Sequence, residues 1–186
     1  MTTYCEYCIS HPDDIFNKTY HDTQYGFPLK DDNLLFERLI LEINQAGLSW
    51  ITILKKADNF RKAYHDFNLA EVANYGEKDI TRLLNDAGII RNQLKINAAI
   101  VNAQKILELQ KECGSFQNWL HNHHPLTKEE WTKLFKKTFV FTGGEIVNEF
   151  LMSTGYLMGA HEESCPVYKK VASLRPAWSR KYRLPH

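Results

Sequence analysis

Asp31-Asp32-Asn33-Leu34-Leu35-Phe36-Glu37-Arg38-Leu39-Ile40-Leu41-Glu42-Ile43-Asn44-Gln45-Ala46-Gly47-Leu48-Ser49-Trp50 reads as one helix followed by a sharp turn. Asp31 or Asp32 suits the N-cap, because a short carboxylate side chain can accept from the first free amides. Gly47 suits the residue just past the C-terminus, where a left-handed backbone favours glycine. Leu35, Leu39 and Ala46 recur at near-heptad spacing and form one apolar stripe. Glu42 falls on that stripe. A carboxylate facing a core must be paired, hydrogen-bonded or held with a raised pKa. Such an environment suits a functional acid or base, and equally a structural glutamate that caps a neighbouring turn.

Working outward, the rest of the chain also reads as helix, and no alternating strand pattern stands out. Ser49 caps a short predicted helix over 49–56, and Asp58 caps another over 58–67. Asn68 precedes a short helix closed by Gly76, and 79–85 continues helical. Asp86-Ala87-Gly88-Ile89-Ile90 is a tight break. A long helix over 92–113 follows, ended by Gly114. Ser115 opens a helix over 115–120, and 121–125 is a histidine-rich loop. Thr127-Lys128-Glu129-Glu130 has the capping-box pattern for a helix reaching residue 137. Gly143-Gly144 precedes a last apolar helix over 145–154, closed by Gly155. A length of 186 residues suits one domain or two small lobes sharing a core, and the short connections between helices predict one compact all-α domain over 1–186.

The composition excludes little by itself. The formal charge is +1, so net charge argues neither for nor against nucleic acid as a partner. Charge is unevenly placed, however. Lys169, Lys170, Arg175, Arg180, Lys181 and Arg183 follow Pro166 with no Asp or Glu among them, which makes a basic tail over about 169–186. A solvated or flexible end fits that tail as well as a binding patch does. The first residues do not resemble a signal peptide, and no apolar run is long enough to span a bilayer. The expectation is a soluble, intracellular protein without a membrane partner, in which four cysteines serve as thiols or metal ligands more readily than as disulfides.

Cysteines and histidines cluster at both ends of the chain. Cys5, Cys8, His11 and His21 lie near the start, and His161-Glu162-Glu163-Ser164-Cys165 lies near the end. His-x3-Cys is half of a tetrahedral zinc site. The other half is Cys5 with Cys8, or Cys5 with His21, and spacing alone leaves that choice open. Four protein ligands and no open position describe a structural metal that ties the two ends together. His121, His123 and His124 lack a partner Cys or carboxylate at ligand spacing and read as solvated. Cys113 reads as an inert helical thiol.

Several segments together resemble the DNA-3-methyladenine glycosylase I family. They are Tyr20-His21-Asp22 with Tyr25-Gly26 and Pro28; Leu41-Glu42 with Gln45-Ala46-Gly47-Leu48-Ser49-Trp50; Asp86-Ala87-Gly88-Ile89-Ile90-Arg91 with Lys95-Ile96; Phe139-Val140-Phe141-Thr142-Gly143; and His161-x3-Cys165. The resemblance runs from about Tyr4 to Tyr168. It implies a helix-hairpin-helix DNA glycosylase fold with one structural Zn2+ per chain joining the N- and C-terminal segments. It places the zinc ligands at Cys5, His21, His161 and Cys165. It also implies a monomer that acts on alkylated double-stranded DNA in the bacterial cytoplasm, at the nucleoid.

By the same resemblance, Glu42 is the catalytic carboxylate that hydrogen-bonds the damaged base, Trp50 stacks on that base, and Tyr20 is a second pocket group. Gly88, Ile89, Arg91 and Lys95 form the DNA-binding hairpin and its flank. The chain departs from the family at several places. Tyr7 and Tyr25 stand where Trp is frequent, Asn17 where many members carry a pocket Tyr, and Ile90 where the wider superfamily prefers Gly. Asn92 stands where strand-cleaving members carry a nucleophilic Lys, which implies hydrolysis of the glycosidic bond without strand cleavage. Two other readings of the residues compete with this one. One is a non-catalytic, zinc-stabilised DNA-binding module of the same fold, which Glu42, Tyr20 and Trp50 argue against. The other is a zinc hydrolase, which a site of four protein ligands argues against.

Overall fold

The computed structural model of the chain describes residues 2–180. Eleven α-helices and two short 3-10 turns account for the regular structure among these residues, and no strand occurs among them. The chain divides into two compact units. One is built from the segments up to Pro28 and from Leu151 on, the other from Leu29 to Phe150.

In the larger unit, α3 (Asp32–Gln45) is the central element. The sequence pattern suggests one apolar stripe, yet ten consecutive residues, Leu35 to Asn44, are buried. Buried Glu37 is held by Arg61 Nε at 2.9 Å, from α4 (Trp50–Ala63). The two aspartates at its start divide their tasks. Asp31 Oδ1 caps α3 by accepting from Asn33 N and Leu34 N at 2.8 and 3.1 Å. Asp32 instead accepts from Phe116 N and Gln117 N at 2.8 and 3.0 Å, the free amides of α8 (Phe116–His123).

The predicted break at Asp58 does not occur, and α4 runs through it. Asp58 pairs with Arg61 one turn on at 2.8 Å, so its carboxylate braces the helix from outside rather than capping a new one. Helix α4 ends in a turn where His65, Asp66 and Phe67 all have positive φ. After it come α5 (Leu69–Ala73), α6 (Glu77–Leu84) and α7 (Gln93–Cys113). Asn92 caps α7 by accepting from Lys95 N at 3.1 Å, and Gly114 closes it at φ +84°. Helix α8 reaches His123, beyond its predicted end, so the histidines turn back on their own helix. His121 Nδ1 meets Gln117 O and His123 Nδ1 meets Trp119 O. Helix α9 (Lys128–Thr138) has the expected capping box, and α10 (Gly144–Ser153) follows. Phe116, Phe135, Phe139 and Phe150 pack ring to ring, at 5.2 to 6.2 Å between centroids for four of the pairs.

The smaller unit contains α1 (Tyr4–Ser10), α2 (Ile15–Thr23) and α11 (Pro166–Ser173). The basic tail is therefore structured over its first part. Val171 and Ala177 are buried, and the Tyr168 and Trp178 rings lie 6.1 Å apart. Lys181 and Arg183 lie outside the described residues. No helix among the described residues is long and apolar enough to cross a membrane.

Candidate functional site

Glu42 sits in the last turn of α3 and is 3% exposed. Burial raises its pKa from an ordinary 4.5 to about 8, the nearby Glu149 carboxylate adds to the rise, and Arg38 opposes it. Removing an ionised carboxylate from water is costly, and a second negative charge compounds that cost. The Glu42 carboxyl is therefore held well above the usual carboxylate range. Glu149, on α10, is a neighbour that sequence reasoning missed. Nothing in Asn148-Glu149-Phe150 marks it, and only the packing of α10 brings its charge near Glu42.

The backbone turns sharply after Glu42. Ala46 is the C-cap of α3, Gly47 has φ +80°, and Leu48 N donates to Gln45 O at 2.7 Å. Ser49 is the N-cap of α4, and Trp50 is its first residue, half-buried. Glu42 and Trp50 thus flank one tight turn, as the stretch 31–50 suggests.

The predicted hairpin lies between α6 and α7. Asp86 Oδ1 accepts from Gly88 N at 2.8 Å, and a Cβ at Gly88 would stand 3.2 Å from Asn59 Cβ. Only glycine admits so close an approach without a shift. Ile89 is buried, and Arg91 is exposed. Lys95 differs from the expectation of a phosphate contact. It is 5% exposed, and its Nζ donates to Asn44 O and Ala46 O at 2.8 and 2.7 Å. Burial lowers its pKa. An ammonium held inside the fold on two carbonyls does not face solvent, where a phosphate would lie.

In the smaller unit, Cys5, His21, His161 and Cys165 are all buried, with their four candidate ligand atoms within 4.8 Å of one another. Sγ of Cys5 lies 3.4 Å from His21 Nε2 and 3.7 Å from His161 Nδ1. Sγ of Cys165 lies 3.6 and 3.7 Å from the same nitrogens. In a tetrahedron with Zn–S near 2.3 Å and Zn–N near 2.0–2.1 Å, the sulfur–nitrogen edge is about 3.6 Å. The donor set therefore fits a tetrahedral zinc in chemistry and spacing.

The outer ring nitrogens fit as well. His21 Nδ1 meets Asp22 Oδ1 at 2.7 Å, and His161 Nε2 donates to Tyr25 O at 2.7 Å. These bonds leave His21 Nε2 and His161 Nδ1 turned to the cluster, the outer-shell arrangement typical of metal-bound histidine. Gly26 permits the second bond. It has φ +80°, and a Cβ there would stand 2.8 Å from Ala160 Cβ. Cys8 is not part of the group, because its Sγ points to Asn17 O at 3.8 Å. Spacing alone left Cys5 and Cys8 open, and the fold brings Cys5 to the other three.

Tyr20 is buried in the same unit, its ring 5.6 Å from that of Tyr25. Asn17 is also buried. Its Oδ1 accepts from Tyr4 Oη at 3.0 Å, and its Nδ2 donates to Asp14 Oδ2 at 2.8 Å.

Comparison with known proteins shows the family. Residues 10–133 match the family model described as methyladenine glycosylase. The chain is 37% identical over 168 residues to DNA-3-methyladenine glycosylase 1 of Escherichia coli K12, covering 80% of this chain and 89% of that one. It is 36% identical over 167 residues to the DNA-3-methyladenine glycosylase of Haemophilus influenzae, covering 79% and 89%. A solved structure of the Staphylococcus aureus 3-methyladenine DNA glycosylase I, determined for its recognition of 3-methyladenine, superposes with a TM-score of 0.79. Its identity is 30%, over 89% of this chain and 97% of that one. On a family model that spans most of the chain and on relatives of this similarity, the protein belongs to the methyladenine glycosylase family.

Proposed function

We propose that the protein is a DNA repair glycosylase that excises N3-methyladenine from alkylated double-stranded DNA and leaves the strand intact. The observation that carries this reading is the buried Glu42 at the end of α3, set one glycine turn before Trp50 in a member of this family. A base inside a duplex is out of reach, so the nucleotide must be flipped out of the stack. N3-methylated adenine is cationic and already a good leaving group. Its excision needs a selective pocket more than a strong general acid.

Trp50 offers an aromatic face for cation–π stacking. Glu42 discriminates by charge, since a cationic base favours the carboxylate and neutral adenine does not. The raised pKa of Glu42 couples this selection to proton release, which costs the cation part of its binding energy. In the free protein the group is protonated, and entry of the cation expels the proton. Glu149 adds a second negative charge near Glu42. Departure of the base leaves oxocarbenium-like character on the sugar, which water captures. Gly88, Ile89 and Arg91 serve the phosphate backbone through hairpin amides and a charge.

We infer further that Cys5, His21, His161 and Cys165 hold one structural zinc, which the donor chemistry and edge lengths support. Burial pushes the Cys5 thiol up to about 11, so a dication is what would keep that sulfur ionised.

The test is a duplex bearing N3-methyladenine. The expected product is an abasic strand that migrates as full length and breaks only on alkali treatment. A strand cleaved without alkali, or no abasic site at all, would refute the proposal.

A further inference from the structure

Lys95 lies in the first turn of α7, beside the hairpin, yet its side chain runs away from the surface. Its Nζ donates to Asn44 O and Ala46 O. These carbonyls end α3 and have no partner along their own helix. A cation there also meets the negative end of the α3 dipole. Among the described residues no carboxylate pairs with Lys95.

Beyond the Leu48 N–Gln45 O bond, the turn's own side chains add little to hold it. Ser49, the N-cap of α4, makes no side-chain bond to an α4 amide and is engaged with Thr52 Oγ1 at 2.7 Å. Gly47 has open space on every side of its Cβ position. The carbonyls that Lys95 clamps lie just before the start of α4, where Trp50 stands, and α4 is held further along by Arg61 on Glu37 and Lys56 on Ala87 O.

We propose that Lys95 is a positioning residue that ties the hairpin helix α7 to the 45–49 turn and so sets Trp50 relative to Glu42. The proposal rests on the glycosylase reading for its catalytic consequence, but the clamp itself is testable without activity. A misplacement of about 1 Å at a reacting site costs on the order of a hundredfold in rate. Loss of the clamp should therefore lower single-turnover excision by about ten- to a hundredfold.

The experiment compares wild type with Lys95→Met and Lys95→Gln in three measurements. Hydrogen exchange followed by mass spectrometry should show faster exchange over 45–50 in both variants, with the rest of α7 unchanged. Excision of 3-methyladenine should fall most in Lys95→Met and be partly restored in Lys95→Gln, whose amide can still donate. Binding to an undamaged duplex should keep the wild-type salt dependence. A salt slope smaller by about one would mean a lost phosphate contact and would overturn the proposal. Unchanged exchange over 45–50 would also overturn it, whatever happens to activity. If Lys95→Met does not fold, Lys95→Gln decides by the same criteria. If the wild type releases no 3-methyladenine, the glycosylase reading fails, and the exchange comparison still decides whether Lys95 holds the turn.

Discussion

Replacing Glu42 by Gln should make the protein more stable at high pH and leave acid stability nearly unchanged. The folded pKa of Glu42 is about 8, against an ordinary 4.5. The fold therefore binds this proton more tightly than the unfolded chain does. The resulting stability is fully present below about pH 4.5 and is lost as pH rises through 8. At 1.36 kcal/mol per unit, the shift corresponds to about 5 kcal/mol. A glutamine of the same shape carries no such penalty. Groups remote from Glu42 titrate alike in both proteins and cancel in the difference, leaving Glu42 and its coupling to Glu149 and Arg38. The stability of Glu42→Gln minus that of wild type should therefore climb between pH 5 and pH 8 and level off by pH 9. For a chain of this size each kcal/mol moves Tm by about 2–4 °C, so the gap at pH 9 should be on the order of 10 °C. Calorimetric scans of both proteins in matched buffers across this range test it. A difference independent of pH, or a glutamine variant less stable than wild type at pH 9, would refute the assignment of Glu42 as a buried proton-holding group.

The same substitution should weaken binding of 3-methyladenine by about 2–5 kcal/mol, read by titration calorimetry, and equal affinities would remove Glu42 from the pocket. Binding of the cationic lesion at pH 7 should release a proton, seen as a heat that varies with the ionisation enthalpy of the buffer. Elemental analysis should find about one zinc per chain. Cys5→Ser and Cys165→Ser should lose the metal and melt lower, while Cys8→Ser keeps it; loss of metal in Cys8→Ser alone would reassign the first ligand. Borohydride reduction during turnover should trap no protein–DNA adduct, because Asn92 caps α7 and Lys95 is bound to two carbonyls. An adduct that disappears in Lys95→Ala would instead make Lys95 a nucleophile.

What was legible in the sequence was local. Asn92 and Gly114 mark both ends of α7 because a cap and a left-handed glycine act within one turn. Thr127 and Glu130 mark the start of α9 for the same reason. The Gly47 turn could be read, and so could a carboxylate on the wrong face of α3. Asp58 misled because an exposed aspartate inside a helix and one that caps it look alike in sequence; only the partner, here Arg61, separates them. Lys95 misled in a similar way. A lysine in the first turn of a hairpin helix suits a phosphate, and its burial is decided by α3, which is distant in sequence. The choice between Cys5 and Cys8 likewise awaited the packing of α1 against residues 161–165. The proximity of Glu149 to Glu42 depends wholly on helix packing and leaves no trace in spacing.

The central claim is that a charge-selective pocket at Glu42 removes a cationic adenine from DNA. The most direct measurement is chromatography of the bases released from methylated duplex DNA by wild type and by Glu42→Gln. The account predicts free 3-methyladenine from wild type, no release of unmodified adenine, and a large loss of release in the folded glutamine variant. Equal release by both proteins, or release of adenine itself, would contradict it.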